Sequence, residues 1–159
     1  MNIAVICVGK LKEKYLKDAV ADYAGRLSHY CKIEIIEVSD EKAPENIGAA
    51  GEKQVKDIEG QGILKYVKDD AFLIALTPGG IMESSEKLSS RIAKLAVSGK
   101  SNIAFAIGGS LGLSDAVMQR SNQKLSFSQM TFPHGLFRVM LLEQIYRAFK
   151  IDKNETYHK

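Results

Sequence analysis

The chain has 159 residues, 45% of them hydrophobic and 26% charged, the size and balance of one globular domain with its own core. No apolar run is long enough to span a bilayer, and MNIAVICVGKLKEKY puts its apolar run ahead of its basic one without a small-residue cleavage pattern, so the expectation is a soluble, cytoplasmic protein without a leader. A net charge of +3 permits a polyanionic partner without requiring one, and the two cysteines, outside any CxxC or Cys/His spacing, read as buried thiols in preference to a disulfide or a metal site.

Residues 2–8, NIAVICV, are nearly all apolar, which predicts a strand covered on both faces and ended by Gly9. From Lys10 to Tyr30, Leu11, Tyr15, Ala19, Tyr23 and Leu27 recur every four residues, predicting a helix with one apolar face. A second strand is expected over Lys32 to Val38, and SDEKAPENIGAAG, residues 39–51, has the turn formers and charges of an exposed, mobile loop. Helical spacing returns from Glu52 to Lys68 through Val55, Ile58, Leu64 and Val67, and Ala71 to Leu76 is a short buried strand ending in the turn TPGG.

Ser84 is the expected N-cap of a helix carrying Leu88, Ile92 and Leu95, with Glu86 in its first turn and Gly99 at its C-terminal cap. The Gly99-Lys100-Ser101 triplet has Lys94 where a phosphate loop needs its first glycine, so it reads as cap and surface turn. The strand 102–107 follows. Buried strands alternating with amphipathic helices predict an α/β fold in a single domain, 1–159, with a mostly parallel sheet and helices on both faces. Ligands in such sheets sit at the carboxyl ends of strands, which selects the loops after Val8, Leu76, Ile107 and Phe127.

Gly108-Gly109-Ser110-Leu111-Gly112 joins a buried strand to the helix start Ser114-Asp115; from spacing alone it is either a tight turn or a cofactor loop. FSQMTF, residues 127–132, offers backbone groups and hydroxyls beside apolar surface, the mixture an adenosine needs, or else is an edge strand running into Pro133. His134 and His158 can each move a proton near neutral pH, or else serve as a packing residue and part of a frayed tail after Ile151. Glu143 and Arg147 stand four apart as a solvated helix pair would, and His29 reads as a surface helix residue. Lys10, Lys12, Lys14, Lys17, Arg26 and Lys32, with Lys150, Lys153 and Lys159, would bind phosphates if the fold gathered them.

IAVICVGKLKEKYLKDAVADYAGRL, VSDEKAPEN, AIGGSLGLS, LSFSQMTFPHGLFRVMLLEQIYRAFKI and NETYHK, in this order over essentially the whole chain, resemble the RlmH family, small bacterial SPOUT-class methyltransferases of large-subunit ribosomal RNA. The resemblance implies a C-terminal deep trefoil knot, a homodimer, no metal, and transfer of methyl from S-adenosylmethionine to N3 of a pseudouridine in helix 69 of 23S rRNA on the assembled ribosome. It also implies cofactor contacts at Leu76, Gly108, Phe127, Ser128, Gln129, Met130, Thr131 and Phe132, and makes His134, Tyr157 and His158 the residues to orient the base or take its proton. The long apolar last helix is the expected dimer face. Two rival readings are a SPOUT enzyme acting on transfer RNA and a ribosome-binding factor without chemistry. The family pattern is least secure around TPGGIMESSE and at Lys159, where an arginine could orient a phosphate by two hydrogen bonds and a lysine does not.

Overall fold

A computed structural model describes residues Met1–Lys159. Five strands, β1 (Asn2–Val8), β2 (Lys32–Val38), β3 (Phe72–Met82), β4 (Asn102–Ile107) and β5 (Gln123–Ser126), form one sheet in the order β2-β1-β4-β3-β5. Every neighbouring pair is parallel. The helices are α1 (Lys14–Leu27), α2 (Gly48–Leu64), α3 (Ser85–Val97), α4 (Asp115–Arg120) and α5 (His134–Asp152).

Side chains alternate across a strand, so each strand feeds two layers. In β4, Ile103, Phe105 and Ile107 enter the larger core with Leu27 of α1, Leu88 and Ile92 of α3, and Leu141, Leu142 and Ile145 of α5. Ala104 and Ala106 face the other way, into a smaller core closed by Ile63 of α2 and Val117 of α4. Phe105, Ile74 and Ile145 have no solvent exposure, and burying each such side chain contributes about 1.5–3 kcal/mol. Both faces are covered by helices, as the uninterrupted apolar strands require. Cys7 and Cys31 are buried free thiols, and burial raises the Cys7 thiol to about 12 and that of Cys31 to about 11.

Several boundaries depart from the sequence expectation for physical reasons. The first helix begins at Lys14 and buries Leu16 and Leu27 with Val20 and Tyr23 packed beside them, while Tyr15 is 70% exposed. A strict four-residue spacing gains about 40° on each step, so it spirals off the buried face; the mixed spacing 16, 20, 23, 27 stays on it. The second helix takes in Gly48–Gly51, and its buried face carries Glu59 while Ile58 is 42% exposed.

TPGG does not end β3: Thr77–Gly80 bulge out, and Ile81 and Met82 resume pairing, so that Leu125 registers with both Leu76 and Ile81. A bulge inserts residues into one strand without ending its ladder. The helix α3 matches its expected caps, with Ser84 Oγ accepting from the Lys87 N–H and Gly99 at a φ of +79°. The tail after α5 is docked, not frayed: the Glu155 carboxylate accepts from Lys150 Nζ at 2.5 Å and from the Tyr30 hydroxyl at 2.6 Å.

Candidate active site

β4, β3 and β5 lie side by side, so their carboxyl ends open onto one place. A cavity of about 610 Å3 sits there, within the range that holds a cofactor-sized molecule. Leu76 and Ile107, the last residues of their strands' shared register, line it at the base. The glycine turn forms one wall, the segment after β5 another, and His134 and Phe137 of α5 complete the lining.

The glycine turn is tight because its backbone folds onto itself. The Gly112 N–H donates to the Gly109 carbonyl at 3.0 Å, and Gly112 has a φ of +90°, a conformation that costs other L-residues energy. A Cβ on Gly108 would stand 2.7 Å from the Gly112 carbonyl carbon and 3.0 Å from the Leu113 nitrogen. The segment is therefore a tight turn, and the same turn walls the cavity.

Opposite it, residues 127–132 are not an edge strand, since β5 ends at Ser126 and the following chain is irregular. Two bonds hold this loop: the Ser126 hydroxyl donates to the Ser128 carbonyl at 3.0 Å, and the Met130 N–H donates to Ser128 Oγ at 3.0 Å. Phe137 of α5 packs on Phe127 at 4.9 Å between ring centroids and stacks on Phe132 at 6.5 Å. Offset and tilted ring pairs at such distances add about 0.5–1.5 kcal/mol beyond the area they bury, so the loop is fixed to the first turns of α5.

Leu76, Gly108, Phe127, Ser128, Met130, Thr131, Phe132 and His134 all line this cavity, whereas Gln129 belongs to the loop without lining it. Tyr157 and His158 stand elsewhere, against α3 and α5. The Tyr157 hydroxyl donates to Glu143 Oε1 at 3.0 Å, and Arg147 donates to the same oxygen from Nε at 3.0 Å and Nη2 at 2.5 Å. Burial and the Glu143 carboxylate push the Tyr157 phenol up. His158 meets Glu86 at 2.8 Å through Nε2 and Arg147 at 3.3 Å through Nδ1. The Ser84 hydroxyl, a backbone N–H and His158 together hold the Glu86 carboxyl down to about 2. Glu143 and Arg147 are thus the centre of a part-buried network instead of a solvated pair. Beside them a groove of about 520 Å3 runs between α3 and α5, and Leu125 and Phe127 line both it and the strand-end cavity.

His134 is the one titratable group lining the cavity. Desolvation and the nearby Arg138 guanidinium lower its pKa below the ordinary histidine value, which keeps the ring neutral and able to accept a proton at neutral pH. The loop after Val8 does not line the cavity. Its Gly9 carbonyl instead accepts from Arg138 Nη2 at 3.1 Å, while Arg138 Nη1 donates to Glu37 Oε1 at 3.1 Å. Neither Arg138, 2% exposed, nor Glu59, 5% exposed, was singled out by the sequence reading. Glu59 carried one weak signal, its place beside Gly60, where helix α2 presses against Ser114 and Val117 so closely that a Cβ would clash. Of the basic residues, Arg26 and Lys150 share one groove with His29, while Lys14 is paired with Asp18.

The family described as "Predicted SPOUT methyltransferase" matches residues 1–158. A protein of Bacillus pumilus (strain SAFR-032) named "Ribosomal RNA large subunit methyltransferase H" is 59% identical over 159 residues, covering 100% of both chains. A protein of the same name from Clostridium acetobutylicum is also 59% identical with 100% coverage of both chains, and one from Clostridium kluyveri is 57% identical over the same span. Among solved structures, that of a probable methylase family protein from Haemophilus influenzae Rd KW20 covers 99% of this chain and 70% of its own, with a TM-score of 0.52 and 12% identity.

Proposed function

Because the chain belongs to the SPOUT methyltransferase family, and within it to the RlmH family, we propose that it methylates N3 of a pseudouridine in helix 69 of 23S rRNA on the assembled ribosome. It is an S-adenosylmethionine-dependent methyltransferase of large-subunit ribosomal RNA. The observation that carries this reading is the full-length identity of 59% to relatives bearing that name, joined to a cavity at three adjacent strand ends.

The residues present suit the cofactor. Leu76, Phe127 and Phe132 offer an apolar slot of the kind a purine takes, and the loop backbone around it can meet the purine's edges. The absence of a side chain at Gly108 lets the turn close on the Gly112–Leu113 backbone, and the closed turn presents main chain to the cavity. When bound, S-adenosylmethionine supplies a methyl group on a positively charged sulfur. The protein's part is to orient the pseudouridine and remove its imide proton. Neutral His134, on the cavity wall, is assigned the proton-accepting role. Tyr157 and His158 are assigned to positioning the RNA indirectly, by holding Glu143 and Arg147, of which Glu143 lines the groove that shares Leu125 and Phe127 with the cavity.

In this reading the protein is a cytoplasmic homodimer, and the chain from the bulged strand β3 to α5 forms the trefoil knot. Ile81, Met82, Met130 and Leu136 are exposed apolar side chains, Met130 among them lining the cavity, and a second protomer would cover such apolar surface. The test is mass spectrometry of rRNA fragments from cells lacking the protein, with methyl transfer to ribosomes and to free transfer RNA measured alongside calorimetry with S-adenosylmethionine. Loss of the helix 69 methyl is expected. Transfer to transfer RNA alone, or no cofactor binding, would replace this reading with a transfer RNA enzyme or a ribosome-binding factor.

A further inference from the structure

We infer that Glu59 is a positioning residue that braces the cofactor turn from behind and couples it to the charged loop 39–47, resting on the reading of the cavity as an S-adenosylmethionine site. The side chain leaves the middle of α2 and is 5% exposed. Its Oε1 accepts from the Glu41 backbone N–H at 3.1 Å, inside the loop between β2 and α2. Its Oε2 is buried without a hydrogen-bond partner. Both oxygens point at the glycine turn: an ideal Cβ on Gly109 would stand 2.9 Å from Oε2 and 3.1 Å from Oε1, and 3.2 Å from Val8 Cγ1.

A carboxylate in such a place is costly, and nothing in the methyl-transfer step requires it. Desolvation raises its pKa, and Asp40 and Glu41 add to that against the help of the Glu41 amide. A fold needing only a filled space would be served better by leucine. The arrangement makes sense if the carboxylate links two moving parts. One oxygen reads the loop, and the other rests against a turn whose opposite side walls the cavity. Seating the cofactor against Gly108 then fixes the turn, the turn fixes Glu59, and Glu59 holds the Glu41 amide. That loop displays Asp40, Glu41, Lys42 and Glu45 to solvent, so its order becomes a property of the loaded enzyme.

Hydrogen exchange and calorimetry separate this inference from the functional reading beneath it. In the wild-type protein, S-adenosylmethionine should slow exchange across residues 39–47, the Glu41 amide included. Glu59→Ala should keep its fold and its kcat at saturating cofactor, lose roughly tenfold in cofactor affinity, and lose the cofactor's effect on loop exchange. Glu59→Gln keeps a carbonyl oxygen for the Glu41 amide and should recover most of both. If the wild-type protein does not bind S-adenosylmethionine, the functional reading fails. If it binds and loop exchange is indifferent to it, or Glu59→Ala binds as well as wild type, the inference alone fails. The wild-type exchange measurement needs no variant, so a Glu59→Ala protein that does not fold leaves a decisive experiment.

Discussion

Arg138 and Glu37 join the last helix to the second strand, with Arg138 Nη1 3.1 Å from Glu37 Oε1 and the guanidinium also holding the Gly9 carbonyl at 3.1 Å. The arginine is 2% exposed and the glutamate 33%, so one partner of the pair is fully withdrawn from water and the other is not. This fixes the start of α5, and with it His134, against the ends of β1 and β2.

Arg138→Met should destabilise the protein by about 2 kcal/mol, less than for a pair buried on both sides because Glu37 can turn to solvent. A urea titration checks this, with the midpoint falling and the slope unchanged. An unaltered midpoint would show that the pair balances its own desolvation.

The pH dependence of methyl transfer should report His134. Its pKa lies below the ordinary value because of desolvation and Arg138, so the neutral, proton-accepting form persists to lower pH. The rate should rise with pH on an acid limb centred below about 6.5 and then level off. His134→Gln should abolish that limb, and Arg138→Met should move it to higher pH. The sign for stability is the same: a depressed histidine contributes stability above its unfolded pKa and loses it as pH falls through the folded one.

Tyr157→Phe removes the hydroxyl that donates to Glu143 Oε1. The network keeps its Arg147 donors, and the loss should be about 1 kcal/mol by denaturant midpoint. The tail should also exchange faster at residues 155–159. Cofactor affinity, measured by calorimetry, should stay unchanged, because Tyr157 does not line the strand-end cavity.

Gly108→Ala places a methyl group 2.7 Å from the Gly112 carbonyl carbon, where only backbone could give way. Gly112→Ala imposes a φ of +90° on a residue with a side chain, at a cost of about 1–2 kcal/mol. Both variants should weaken S-adenosylmethionine binding, Gly108→Ala the more, and calorimetry of the two against wild type provides the comparison.

How much of this was legible in the sequence depends on whether the controlling contact is local. The strand Asn102–Ile107 and the caps at Ser84 and Ser114 were readable because an apolar run or a hydroxyl three residues from a helical N–H carries its own explanation. The continuation of β3 to Met82 was not, because it depends on β5, which lies more than forty residues further along. Tyr157 looked frayed for the same reason: Glu143 is remote in sequence and adjacent in space. In the site, the strand-end rule selected the three loops that line the cavity, while the fourth, after Val8, proved to be the seat of Arg138. No periodicity could name the methyl donor; family resemblance did that. A polar residue on a buried face, such as Glu59, defeats a reading that assigns faces by hydrophobicity alone.

The position of β4 between β1 and β3 also sets the order in which the protein can come into being. As the chain emerges during synthesis, the pair formed by β1 and β2 has no contact with β3 until β4 arrives to bridge them. The cavity then waits for β5 and α5, the last pieces made. A truncated nascent chain therefore has exposed parallel strand edges and an unfinished strand-end cavity, and is most open to aggregation until its final third has been translated.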